Sequence, residues 1–184
     1  LVPAATTSGA ELVGQLVDVH VQSFDRSTGQ VRLELSTLVT SQLHGDLGDP
    51  RVQTALTTAL QDGMGPGPRL QAVELLRLGT VSASARLVLS HALLHDDNPG
   101  VRIAAAGALS GLAQDDDVRQ ALHRALLDDT NPGVRVAAVE GLRSFRDHET
   151  RQVLEQAIYF ESNQYIRAEA RRTLDGWVPA AAHL

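Results

Sequence analysis

From residue 49 onward, side chains that are apolar but for one threonine recur four positions apart in a series of short segments: Val52, Leu56 and Leu60; Ala85, Leu89 and Leu93; Val118, Leu122 and Leu126; Thr150, Leu154 and Ile158. That spacing puts each set on one face of a helix. A second apolar run follows each segment and is anchored by an arginine at 69, 102, 135 or 167. Three residues after the arginine stand Ala72, Ala105, Ala138 and Ala170, and seven residues after it Leu76, Leu109, Leu142 and Leu174. The leucines read as core knobs, and the alanines let neighbouring helices approach closely. The pattern predicts four pairs of outer helix, turn and inner helix, over about 49–79, 82–112, 115–144 and 147–176.

Residues 12–48 have a different rhythm. Val17, Val19 and Val21 interleave with Leu16, Asp18, His20 and Gln22, and Val31, Leu33 and Leu35 alternate with Arg32, Glu34 and Ser36. A period of two predicts strands, and Asp25-Arg26-Ser27-Thr28-Gly29 supplies a hairpin turn between them. A two-stranded ribbon is marginal alone, so it is expected to dock on the first helices as an N-terminal cap, with a short third strand near Gln42–His44. Residues 1–11 read as a linker or tag remnant of a longer chain. Residues 177–184 read as a tail whose Trp177 folds back as a plug.

The pentapeptide Asn-Pro-Gly-Val-Arg occurs at 98–102 and again at 131–135. Weaker copies, Gly65-Pro66-Gly67-Pro68-Arg69 and Asn163-Gln164-Tyr165-Ile166-Arg167, flank them. The arginines step by 33, 33 and 32 residues (69 to 102 to 135 to 167), a fixed period that marks stacked repeats. Asn98-Pro99 and Asn131-Pro132 encode an N-cap followed by proline at the first helical position. Asp49 and Asp115-Asp116-Asp117 place carboxylates where free amides and the positive end of a helix dipole await them. Arg171 stands where Val73, Ala106 and Val139 stand in the other repeats, which marks the last repeat as solvent-facing.

The pattern Asp-x-x-Pro-x-Val-Arg-x-x-Ala, at Asp96–Ala105 and Asp129–Ala138, resembles the HEAT-repeat family over about residues 49–176. The resemblance implies a mainly α fold: a right-handed α-α solenoid of four HEAT-like repeats, here with a small β-hairpin cap. It also implies a structural ladder between repeats, built from an acid and the arginine six residues on: Asp96 with Arg102, Asp129 with Arg135, Glu161 with Arg167. The first repeat departs from the pattern, with Gly63 in the acidic place and Pro68 before Arg69, so no rung is expected there. A narrower resemblance rests on the hairpin, then Gly45-Asp46-Leu47-Gly48-Asp49-Pro50-Arg51-Val52-Gln53, then the repeats. This order is similar to the extracytoplasmic part of bacterial membrane-anchored proteins that begin with a zinc-finger segment of the anti-sigma type. It implies sensing or protein binding outside the membrane.

Composition narrows the chemistry. The 184 residues are 43% apolar but only 3% aromatic, so the core is built from Leu, Val and Ala. All 16 basic residues are arginine, and 22 carboxylates leave a net charge of -6, which argues against nucleic acid as a partner. Without lysine there is no Schiff-base chemistry, and without cysteine no disulfide, thiolate zinc site or thiol nucleophile. No stretch approaches the roughly 20 apolar residues of a membrane span.

His91 and His95, four apart and beside Asp96 and Asp97, have the spacing of a metal-binding pair. No third ligand is evident, and their counterparts in the next repeat, Arg124 and Asp128, read as ordinary solvated positions, so no metal is expected. His20, His44, His123, His148 and His183 are scattered and form no triad. The acidic run at 115–117 lacks the glycine turn and bidentate glutamate of a calcium loop. Gly65-Pro66-Gly67-Pro68 lacks the lysine of a phosphate loop.

The informative remainder is the row two, five and eight residues after each arginine: Gln71, Glu74, Arg77; Ala104, Gly107, Ser110; Ala137, Glu140, Arg143; Glu169, Arg172, Asp175. Its middle is small and its ends are charged, so a partner protein or peptide is expected to lie there, although a merely solvated inner face gives the same pattern. HEAT-like phycobilin lyases and helical-repeat DNA glycosylases are enzymatic rivals, but their sites need aromatic or basic linings that these rows lack. The expectation is a non-enzymatic protein-interaction or sensory module without a cofactor, on the extracytoplasmic side of a bacterial membrane; the alternative is a free-standing HEAT scaffold in the cytoplasm.

Overall fold

A computed structural model describes residues 15–25, 28, 30–38, 42–62, 65–112 and 115–177. The linker at 1–11, Gly63, and the tail from 178 with His183 lie outside the described residues. The chain divides into two compact units, Leu1–His44 and Gly45–Leu184.

The first unit holds two antiparallel strands, β1 (Gln15–Asp25) and β2 (Gln30–Leu38). Val19 pairs with Leu35, His20 with Glu34 and Val21 with Leu33. The register shifts between Leu16 and Asp18 and again between Val21 and Ser23. Each extra residue interrupts the alternation that the sequence suggests, because a one-residue slip exchanges the two faces. The expected third strand is absent among the described residues, since Gln42–His44 have no regular structure. Gly45, Gly48 and Pro50 follow at once, and such residues break a ladder before it can form.

The second unit is a stack of helix pairs: α1 (Pro50–Asp62) with α2 (Pro66–Leu78), α3 (Ala83–His95) with α4 (Pro99–Leu109), α5 (Asp116–Asp128) with α6 (Pro132–Leu142), and α7 (His148–Phe160) with α8 (Gln164–Asp175). The helix starts are written locally. Asn98 Oδ1 accepts from Gly100 N at 2.8 Å and Asn131 Oδ1 from Gly133 N at 2.8 Å. Asp115 accepts from the amides of Asp117 and Val118, and Asp49 from Arg51 N at 2.8 Å. Gly65, ahead of α2, has φ 79°, a left-handed conformation that glycine adopts without strain.

The core runs continuously through the stack. Leu89, Leu93, Leu122 and Leu154 from the outer helices and Leu76, Leu109 and Leu142 from the inner ones are fully buried, with Ala72, Ala105, Ala138 and Ala170 between them. At Gly141 a Cβ would stand 2.9 Å from Leu122 Cδ2, so this glycine permits the closest approach of α6 to α5. Successive inner helices, α2, α4, α6 and α8, contact one another more extensively than the successive outer helices do. Arg171 is exposed. Trp177 is half-buried against the core, with its Nε1–H donating to Arg143 O at 3.2 Å and the Arg151 guanidinium 5.9 Å from its ring centre.

Candidate functional site

The recurring acids and arginines of each turn serve the stacking. Arg102 donates through Nε and Nη2 to Asp129 at 2.8 and 3.1 Å, and Arg135 likewise to Glu161 at 2.8 and 3.2 Å. The partner carboxylate lies 27 or 26 residues onward, in the following repeat. Six-residue pairs also exist, but the acceptor there is the acid's backbone carbonyl: Arg102 Nη1 to Asp96 O at 2.8 Å, Arg135 Nη1 to Asp129 O at 2.8 Å, Arg167 Nη1 to Glu161 O at 2.6 Å. Each carboxylate also accepts the amide of the N-cap asparagine two residues on, at 2.8 to 2.9 Å, which locks the turn.

The first repeat does make a rung, contrary to expectation. Arg69 reaches Asp96 at 2.8 and 2.9 Å, because a rung needs only an arginine in one repeat and an acid in the next. Burial raises the Glu161 carboxyl, but the Arg135 guanidinium and the Asn163 amide outweigh it and hold the group below its ordinary range. Asp96 is lowered in the same way, with burial opposed by Arg69 and the Asn98 amide.

On the inner face, Gln71, Glu74, Arg77, Gly107, Glu140 and Arg143 are exposed, and Ala104 and Ser110 are half-buried. Glu74 and Arg77 pair at 3.1 Å. Ser110 Oγ donates to Gly107 O at 2.8 Å, and Ser144 Oγ donates to Ser110 O at 3.2 Å. A Cβ on Gly107 would meet no atom within 4 Å. Two members of the row are not surface at all. Ala137 is 9% exposed, its methyl group too short to rise clear of the neighbouring helices, and Glu169 is 2% exposed. Glu169 is the hub of an ion cluster, accepting from Arg143 on one carboxylate oxygen and from Arg172 on the other. Those partners explain why a carboxylate is tolerated in a buried position.

Sequence reasoning also missed His123, 6% exposed, whose Nε2 lies 2.9 Å from Thr150 Oγ1 in the next outer helix. Thr150 Oγ1 in turn donates to Asp147 Oδ2 at 2.8 Å. The available signal was Thr150 itself, the one hydroxyl in a column otherwise occupied by Val52, Ala85 and Val118. His91 and His95 are both exposed, with ring centroids 4.7 Å apart and a tilt of 50°. They line a cleft of about 430 Å³ together with Leu60, Arg69, Asp96 and Asp97. Among the described residues, no three His, Cys, Asp or Glu side chains gather as a metal site.

Helix pairs stacked through a common core and stitched by an arginine–carboxylate ladder define an α-solenoid repeat protein. Residues 86–175 match the family model of HEAT repeats. Human deoxyhypusine hydroxylase, solved in complex with glycerol, has a similar structure: TM-score 0.58 and 25% identity over 70% of this chain and 44% of that one. The chain thus spans less than half the length of that enzyme. No curated protein matches it in sequence.

This likeness corrects the expectation that the protein is not an enzyme, since a catalyst is built on the same repeat fold. Missing lysine and cysteine exclude particular chemistries. They do not exclude catalysis as such, and fold and function are separable.

Proposed function

We propose that this HEAT-repeat segment works by docking a protein or peptide along its inner-helix face, between Gln71 and Arg143. The observation that carries the reading is the low, open middle of that face. Gly107 has empty space where a side chain would stand, and Ala104 and Ser110 beside it are small, so a partner backbone or helix fits close against α4. Exposed charges at Glu74 and Arg77 on one side and Glu140 and Arg143 on the other set the register of the docked chain. Likeness to an enzyme fits the same surface, because a docked protein is a substrate wherever a reactive group stands beside it.

The test is photo-crosslinking in source cells from a reactive residue at Ser110, with another at exposed Gln120 on outer helix α5 as reference. One dominant adduct from position 110, absent from 120 and abolished by Gly107→Arg, is expected. Equal labelling from both positions, or an adduct that survives in a folded Gly107→Arg protein, refutes the reading.

The resemblance to extracytoplasmic parts of anchored anti-sigma-type regulators, with the absence of cysteine, supports a location on the outer side of a bacterial membrane. No helix among the described residues is long and apolar enough to cross a membrane. Protease digestion of spheroplasts distinguishes the two sides: cleavage without lysis is expected, and protection until lysis rules this location out.

A further inference from the structure

The cleft between the first two helix pairs holds chemistry that neither the ladder nor the inner face uses. His91 and His95 lie one turn apart on α3, both exposed, at its edge. Their ring centroids are 4.7 Å apart and the rings are tilted by 50° rather than stacked in parallel. With metal–nitrogen bonds of about 2.0–2.1 Å, and a ring centroid roughly 1.2 Å behind its nitrogen, one ion holds two imidazole centroids ~4.5 Å apart at a right angle and ~5.2 Å apart at the tetrahedral angle. The observed separation falls inside that interval.

We infer that His91 and His95 form a two-nitrogen chelate for a borderline divalent cation of the Zn²⁺, Ni²⁺ or Cu²⁺ class. Imidazole suits these ions, whereas Mg²⁺ and Ca²⁺ prefer oxygen. Two protein nitrogens leave the remaining coordination positions to water or to a small ligand, the open arrangement of an exchangeable site. The local charge favours a cation: Asp96 and Asp97 line the cleft with a single guanidinium, Arg69, which pairs with both.

The pair is also peculiar to its repeat. The matching positions are Thr58 and Asp62, Arg124 and Asp128, and Gln156 and Phe160. Groups that serve stacking recur at every period, as the ladder arginines do, and this pair does not. Nor does folding depend on it, because both rings stand in solvent.

The test is calorimetric titration of the full chain with zinc and nickel chloride, with electron paramagnetic resonance of the Cu²⁺-loaded protein to count nitrogen ligands. One ion per chain is expected, with two coupled nitrogens. His91→Gln and His95→Gln should each weaken binding on the order of a hundredfold, since the second contact of a chelate is intramolecular, and reduce the coupled nitrogens to one. His148→Gln, at an exposed histidine on α7, should leave both readouts unchanged. No saturation by millimolar metal overturns the inference. So does binding that persists in both His91→Gln and His95→Gln, or that falls equally in His148→Gln.

Discussion

Cutting one rung of the ladder tests whether it holds the stack together. The Arg102 side chain is 13% exposed and the Asp129 side chain 8%, so both charges lie largely out of water. Arg102→Leu removes two hydrogen bonds to Asp129 and one to Asp96 O, and leaves the Asp129 carboxylate with the Asn131 amide at 2.8 Å. Breaking a buried pair from one side costs about 3–5 kcal/mol. Residual exposure and that surviving amide bond place this rung near the lower end, at about 3 kcal/mol. Urea unfolding followed by far-ultraviolet circular dichroism measures it.

Arg77→Leu is the comparison, because the Arg77–Glu74 pair is 52% and 50% exposed and such pairs contribute about 0–1 kcal/mol. A double variant, Arg102→Leu with Asp129→Leu, should cost less than Arg102→Leu alone, since no charge is then left stranded. Were Arg102→Leu no more damaging than Arg77→Leu, the ladder would be a surface decoration and the account of stacking would be wrong.

Three further outcomes follow from the packing. Burial is the main influence holding His123 below its ordinary value, with Glu149 and Asp147 pulling the other way and Arg119 adding to the depression. The unfolded chain therefore binds that proton more tightly, and stability held above about pH 6.5 is lost as pH falls through the lowered folded value. A urea midpoint that declines less in His123→Gln than in the natural protein over this interval confirms it. Gly107→Ala, at an open helical position, should stabilise by about 0.5–1 kcal/mol, visible as a raised melting temperature. Gly141→Val, where even a Cβ stands 2.9 Å from Leu122 Cδ2, should destabilise by about 1–3 kcal/mol through overpacking. A neutral result in urea would show that Leu122 yields freely.

Local rules carried most of the architecture. Apolar positions four apart, asparagine followed by proline, and a period of 33 or 32 residues determine helices, caps and repeat, because each depends on neighbours within a turn or two. Those same rules placed Gln71, Glu74, Gly107 and Glu140 on an exposed face. Tertiary structure decided whatever depends on the next repeat. Arg69 finds Asp96 and Arg102 finds Asp129 across 27 residues. Arg143 and Arg172 converge on Glu169, and His123 meets Thr150. Spacing alone puts Ala137 and Glu169 on the surface, but the close packing of the inner helices draws them in. A helical period specifies which face a side chain occupies; how far the neighbouring repeat covers that face depends on curvature and on pairing over a full repeat, which no local pattern encodes.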